Sequence, residues 1–125
     1  MLTEKDYCDY ETCVALKELG YPLTSKEVRY EDKAVFVPGV LLYSAQKFLR
    51  EEFGMLVDST VFADNSIDAD GKVVDRWIYY SCAILNTSTS EFIRDYDHSD
   101  EYDTYEEALS EGIKETVKIL KGEVR

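Results

Sequence analysis

A chain of 125 residues with 26 acidic and 14 basic side chains has a formal net charge of −12 at pH 7. This charge repels phosphate backbones and anionic lipids, so it disfavours direct binding to nucleic acid or to a membrane surface. The length predicts a single domain over residues 1–125. Because the sequence has no apolar run of about 18 residues and no signal-peptide pattern, we expect a cytoplasmic protein.

The first predicted element is a short amphipathic helix over residues 10–19, with Asp9 among its candidate N-caps. Gly20 and Pro22 should end it, because glycine adopts the left-handed conformation easily and proline cannot continue a helix. The apolar face of this helix would consist of Tyr10, Cys13, Leu16 and Leu19.

A small hairpin is predicted between residues 27 and 37, where two β-prone runs flank a charged turn. The pattern leaves open whether this hairpin extends the main sheet or packs separately. The next segment, residues 42–53, has helical periodicity and should end at Gly54.

Three strands are predicted in the second half of the chain. Residues 55–63 are rich in β-branched side chains, and the turn-rich stretch 64–72 ends in an Asp-Gly dipeptide that favours a hairpin. This turn should pair the first strand with residues 73–85 in antiparallel fashion. Residues 90–94 form a third predicted strand.

The 73–85 segment has apolar or aromatic residues on both alternating faces, which predicts a strand in the middle of the sheet, covered on both sides or nearly so. The face expected under the helices contains Ile78, Tyr80, Cys82 and Ile84. The opposite face has no assigned cover and contains Trp77, Tyr79, Ser81 and Ala83. The first helix, the hairpin at 27–37 and a second molecule are the candidates for covering it.

The last helix has the clearest signals, with a capping box at Thr104 and Glu107 and an expected end at Gly122. Its apolar stripe contains Tyr105, Ala108, Leu109, Gly112, Ile113, Val117 and Leu120. The predicted fold is α+β: an antiparallel sheet of three or more strands packed by helices, in the order helix-strand-strand-strand-helix, preceded by a short helix and a hairpin. Double-stranded-RNA-binding domains share this order, but Glu106 and Glu107 replace their phosphate-binding lysines, so no RNA binding is expected.

Three groups of residues bear on metal or thiol chemistry. Cys8, Cys13 and Cys82 lack the paired spacing of a zinc or thioredoxin-like site, so reduced, buried thiols are expected. Residues 66–71 overlap poorly with a calcium loop, and a plain hairpin turn is the preferred interpretation. The acidic stretch 95–103 contains the sole histidine, His98, so a zinc site would lack its nitrogen or sulfur donors.

We interpret that acidic stretch as a solvated loop, with a carboxylate magnesium site as the alternative. The sequence has no phosphate-binding glycine loop and no nucleophile elbow. We therefore predict no cofactor, no resident metal and no catalytic residue.

Two segments on the predicted helices, LYSAQKFLRE at residues 42–51 and TYEEAL at residues 104–109, carry a family resemblance. They resemble recurring segments of small uncharacterised proteins from Bacteroides-type bacteria and their phages or mobile elements. The resemblance implies an intracellular accessory protein and supplies no site residues.

The leading functional hypothesis is a non-enzymatic, acidic module that binds a protein partner or self-associates. Its candidate interaction surface is acidic and aromatic and consists of Trp77, Tyr79, Asp97, His98, Asp100, Glu101 and Tyr102. One alternative is an inhibitor that mimics nucleic acid and occupies the groove of a basic DNA-binding protein. The other is a small-molecule binder or metal-dependent hydrolase that uses the acidic residues near His98.

Overall fold

The computed structural model describes residues 4–23, 28–31, 35–97 and 100–122. After a 3-10 turn at Glu4–Asp6, the elements are α1 (Tyr10–Glu18), β1 (Val28–Glu31), β2 (Val35–Pro38), α2 (Leu42–Phe53), β3 (Met55–Ile67), β4 (Val73–Asn86), β5 (Glu91–Arg94) and α3 (Tyr105–Leu120). The fold is α+β, as predicted, and its main sheet is antiparallel with the strand order β3-β4-β5. None of the helices in the described part of the chain is long and apolar enough to cross a bilayer.

Local signals fix the helix ends. Asp9 caps α1 by accepting a hydrogen bond from the N–H of Thr12 at 2.8 Å. Gly54 ends α2 in the left-handed conformation, with φ of 65°. At the start of α3, Thr104 Oγ1 accepts a hydrogen bond from the N–H of Glu107 at 3.1 Å.

The hydrophobic core lies between the helices and one face of β3 and β4. Val57 and Ile84 form part of its floor, and α2 and α3 cover them with Leu42, Ala45, Leu49, Leu109, Ile113 and Val117. α1 packs against α3 rather than against the opposite face of the sheet. The predicted apolar face of α3 is confirmed. In α1, by contrast, Tyr10 is exposed and Thr12 is buried.

β1 and β2 form a separate two-stranded antiparallel sheet, with Val28 opposite Pro38 and Glu31 opposite Val35. The predicted hairpin is therefore confirmed, and it does not extend the main sheet. Its turn at residues 32–34 lies outside the described residues.

The three cysteines are free and buried, as predicted. Cys13 Sγ donates a weak hydrogen bond to the carbonyl oxygen of Cys8 at 3.7 Å. Hydrogen bonding with Cys13, together with burial, raises the pKa of the Cys8 thiol far above its ordinary value. Cys8 therefore stays a protonated thiol, which is a poor nucleophile.

β3 continues to Ile67, beyond the predicted end at residue 63. Residues 64–66 favour turns by composition, but their pairing with residues 75–77 of β4 overrides that preference. The turn occupies only residues 68–72, where Asp68 Oδ1 accepts hydrogen bonds from the N–H groups of Asp70 at 2.9 Å and Lys72 at 3.0 Å. This arrangement is a hairpin turn and agrees with the preferred interpretation of the sequence.

β4 is the central strand, as predicted, but its cover changes along its length. Residues 79–84 are buried, apart from the half-buried Tyr80, whereas residues 73–78 are exposed on both faces. Ile78, which was expected beside the floor under the helices, is 66% exposed. The expectation of cover on both sides is wrong for the first half of β4, because the helices do not reach it.

The Asp9 cap gives a first testable prediction. Asp9→Ala should lower the free energy of unfolding by about 1 kcal/mol, because it removes the cap and a 3.1 Å ion pair with Lys114. Asp9→Asn keeps a capping oxygen and loses only the exposed ion pair, so its loss should be about 0.5 kcal/mol. Urea denaturation at pH 7 measures both.

The difference in unfolding free energy between the wild type and Asp9→Asn should depend on pH, because it comes from the Asp9 carboxylate. Burial opposes the charged form of Asp9, but hydrogen bonds from Thr12 and Lys114 outweigh burial and lower its pKa. Its contribution is therefore complete above the ordinary aspartate pKa of about 4 and disappears as the pH falls through the lower folded-state value. A gap between Asp9→Asn and the wild type that does not shrink in acid would contradict this assignment.

Candidate interaction surface

β3 and β4 continue beyond the helices as a two-stranded arm, formed by residues 61–67 and 73–78. α3 begins beside the base of this arm, where Ser59 Oγ donates to the carbonyl of Tyr105 at 3.1 Å and the Tyr80 and Tyr105 rings meet edge to face. From there α3 runs away from the arm, since Gly112 lies against Val57. The 13 residues of β3 span roughly 43 Å and the 16 residues of α3 only roughly 24 Å, so the arm stays uncovered.

One face of the arm is mostly apolar. Strand alternation places seven residues of the arm on the face that lies under the helices in the body of the protein, and two of them, Asn65 and Arg76, are polar. The other five form what we call the apolar stripe: Val61, Ala63, Ile67, Val74 and Ile78. Its four large side chains are 54% to 66% exposed. Val74 joins the stripe at a β-bulge, where the pairing shifts by one residue between Ser66 and Ile67.

The other face carries an aromatic cluster of Phe62, Trp77, Tyr79 and Tyr96. The rings of Phe62 and Tyr79 are stacked, with centroids 5.5 Å apart, and Tyr96 meets Phe62 edge to face at 5.6 Å. Trp77 lies on the same face of β4 as Tyr79, opposite Asp64 of β3. A shallow groove of about 530 Å³ lies on the opposite face of the arm, where Ala63, Asn65, Arg76 and Ile78 line it.

Residues 95–97 cover the base of this second face. The hydroxyl of Ser81 lies 3.4 Å from the carbonyl oxygen and 3.3 Å from the backbone nitrogen of Asp97, and the Tyr96 hydroxyl donates to Asp58 Oδ2 at 3.0 Å. As a result Tyr79, Ser81 and Ala83 are buried. Residues 95–97 of the chain itself therefore cover this part of the face, in place of the first helix, the 27–37 hairpin or a second molecule.

The aromatic cluster is surrounded by carboxylates. Asp58, Asp64, Asp75, Asp95 and Glu101 are exposed, and none of them forms an ion pair with another described residue. Burial raises the pKa of Tyr79, and the charges of Asp64 and Glu101 raise it further. Burial and the Asp58 carboxylate likewise raise the pKa of Tyr96. The face is therefore strongly negative at neutral pH.

The residues predicted from the sequence to form the interaction surface differ in their exposure and position. Trp77 belongs to the aromatic cluster and, like Asp97 and Glu101, is accessible. Tyr79 is 3% exposed, so it supports the face from below instead of presenting its ring to a partner. His98 lies outside the described residues.

Asp100 and Tyr102 serve mainly the structure of the protein. Asp100 forms a 2.9 Å ion pair with Arg94, and the Tyr102 hydroxyl accepts a hydrogen bond from the same guanidinium at 3.1 Å. Glu115 of α3 completes the group at 3.2 Å from Arg94. Arg94 thus links β5, residues 100–102 and α3.

Sequence reasoning missed Phe62, Tyr96 and the apolar stripe. Counting back from a two-residue Asp70-Gly71 turn places Phe62 opposite Tyr79, which is the observed pairing, so the hairpin signal could have located Phe62. The bulge changes the pairing only between Ser66 and Ile67. The position of Tyr96 depends on the path of the chain after β5, for which the sequence offers no pattern.

Metal binding finds no support in the described part of the chain, where no three His, Cys, Asp or Glu side chains group so that they could hold an ion. No protein-family model matches this sequence, and searches of curated proteins and of solved structures gave no significant match. Function must therefore be inferred from the surface itself.

Proposed function

We propose that this protein is a non-enzymatic, acidic interaction module whose arm docks onto a protein partner through the apolar stripe. The observation that carries the proposal is the exposure of Val61, Ile67, Val74 and Ile78 on one face of a projecting hairpin. Scattered apolar residues are ordinary on protein surfaces, but four large exposed side chains that share one face of a hairpin, interrupted there by Asn65 and Arg76, mark a site of association. A two-stranded hairpin is also only marginally stable by itself, so a partner would stabilise the arm it contacts.

The partner that fits is a different protein with a basic surface, rather than a second copy of this chain. Each copy carries a net charge of −12, so two copies repel one another. The arm and its turn together hold four acidic residues, Asp64, Asp68, Asp70 and Asp75, against two basic ones, Lys72 and Arg76. A partner surface with an apolar patch surrounded by basic side chains would complement both the apolar stripe and the acidic residues around it.

Mimicry of nucleic acid receives less support from the spacing of the carboxylates. Asp58 and Asp64 lie six positions apart along β3, roughly 20 Å. In nucleic acid each strand carries a phosphate about every 3.4 Å along the helix axis. The carboxylates along β3 are too sparse to reproduce that array.

Site-specific cross-linking in the source organism tests the docking proposal. A photoreactive phenylalanine at Ile78 or at Val74 should cross-link to the same protein, one with a basic surface. Ile78→Ser should lower the yield from position 74 by about tenfold or more, the loss expected of a central apolar contact. Unfolding stability should change by less than about 0.5 kcal/mol, because Ile78 is exposed.

Tyr43 provides the matched control, since it is 57% exposed on α2, on the body of the protein. A photoreactive residue at position 43 should form no cross-link to that partner protein. The Tyr43→Ser substitution should leave the cross-link yield from position 74 unaltered. Equal cross-linking from positions 43 and 78 would overturn the proposal. So would sedimentation equilibrium that finds a dimer dispersed by Ile78→Ser, since a second copy would then occupy the stripe.

A further inference from the structure

The second face of the arm points to the chemistry of one partner side chain. Phe62 is half-buried and Trp77 is 36% exposed, so parts of both rings face solvent. The Asp64 carboxylate lies directly across the strand pair from Trp77. Aromatic faces beside a carboxylate attract a cation through both the ring quadrupole and the opposite charge.

The cluster is held in place before any partner binds. Asp64 Oδ1 accepts a hydrogen bond from the N–H of Asn65 at 2.8 Å, which orients the carboxylate. Stacking on the buried Tyr79 orients Phe62, and Tyr96 is fixed by its bond to Asp58. Such preorganisation reduces the entropy that binding must overcome.

No basic side chain of the arm serves this face. Arg76 belongs to the opposite face by strand alternation, because it pairs with Asn65, and Lys72 lies in the hairpin turn. The arm therefore supplies no cation of its own to Trp77, Phe62 and Asp64.

We propose that this face binds an arginine side chain of the basic partner, with the guanidinium over Trp77 and Phe62 and hydrogen-bonded to Asp64. Arginine fits better than lysine, because its flat guanidinium stacks on rings and pairs with a carboxylate through two parallel hydrogen bonds. This inference rests on the proposed docking function and adds the side chain that the partner presents.

Trp77 is the sole tryptophan, so its fluorescence reports the site directly. Titration of the isolated protein with acetyl-tetra-arginine amide at low salt should change the emission of Trp77. The arginine peptide should bind about threefold tighter than acetyl-tetra-lysine amide. Asp64→Asn, which keeps the oxygen that caps Asn65, should weaken binding about three- to tenfold. Phe62→Leu should weaken it by about threefold or more.

Glu52→Gln is the matched control, because Glu52 is exposed on α2 and its substitution changes the net charge by the same amount. It should leave the affinity within about twofold of the wild type. Equal losses for Asp64→Asn and Glu52→Gln, equal affinity for the two peptides, or constant Trp77 emission would each overturn the arginine site. The cross-link from Ile78 does not use Asp64, so a cross-link that persists after such a result would leave the docking proposal standing.

Discussion

Gly112→Ala should lower the free energy of unfolding by about 1–2 kcal/mol, although alanine favours a helix over glycine by about 1 kcal/mol. A Cβ atom at position 112 would lie 2.7 Å from Val57 Cγ1 and 3.4 Å from Cys82 Cβ. Both neighbours are fully buried in paired strands, so α3 has to move away from the sheet. Equilibrium unfolding in urea, followed by circular dichroism, measures the loss.

Two variants separate this contact from a general effect on α3. Lys118→Ala changes an exposed position of the same helix and should stay within about 0.5 kcal/mol of the wild type. In a Val57→Ala background the obstructing methyl group is gone, so the double variant should lose less than the sum of the two single losses. A Gly112→Ala protein as stable as the wild type would show that α3 packs less closely on the sheet.

Arg94→Met should lower the free energy of unfolding by about 2–4 kcal/mol. Its guanidinium bonds Asp100 at 2.9 Å, Glu115 at 3.2 Å and the Tyr102 hydroxyl at 3.1 Å, and the side chain is only 17% exposed. Burial opposes the charge on Arg94, but the hydrogen bond to Tyr102 and the Asp100 carboxylate outweigh it and raise the pKa of Arg94. Removing the cation leaves two neighbouring carboxylates to repel each other.

Arg50→Met is the matched control for this substitution. Arg50 is 47% exposed and lies 4.0 Å from Glu51, so its removal should change stability by less than about 0.5 kcal/mol. Adding Glu115→Gln to Arg94→Met should recover part of the loss, because it removes one uncompensated charge. If Arg94→Met and Arg50→Met proved equally mild, the Arg94 group would not be a structural tie.

The helices were predictable because their ends carry local chemistry. Asp9, Gly54 and Thr104 act on backbone groups within three or four residues, so their effect is legible in the sequence. The end of β3 was not predictable, because residues 64–66 favour turns and only pairing with β4 makes them a strand. Tertiary contacts decided that boundary, as they do for most strands.

The acidic and aromatic nature of the candidate surface was predictable from the sequence, but the residues that form it were predicted only in part. An acidic, aromatic face was expected around Trp77, and Trp77 does lie among carboxylates. Tyr79 was misplaced on that surface because its burial depends on residues 95–97, whose path is set by hydrogen bonds to Ser81 and Asp58. Contacts between segments so distant in sequence leave no periodic pattern along the chain.

The aspartates of the sheet have a further consequence for the arm. In an antiparallel pair, alternate residues of each strand point their backbone N–H and C=O groups away from the partner strand. The hydrogen bond from the Thr87 N–H to the Gly54 carbonyl shows that Gly54 points toward β4, so Ser59 and Asn65, at odd spacing from it, point away from β4. The N–H groups of Ser59, Asn65 and, on the other edge, Arg76 are each occupied by the preceding aspartate, at 2.8 to 2.9 Å. A foreign strand that approached either edge would find these donors taken and negative charge beside them. The arm can thus present its two faces to a partner while its edges resist aggregation.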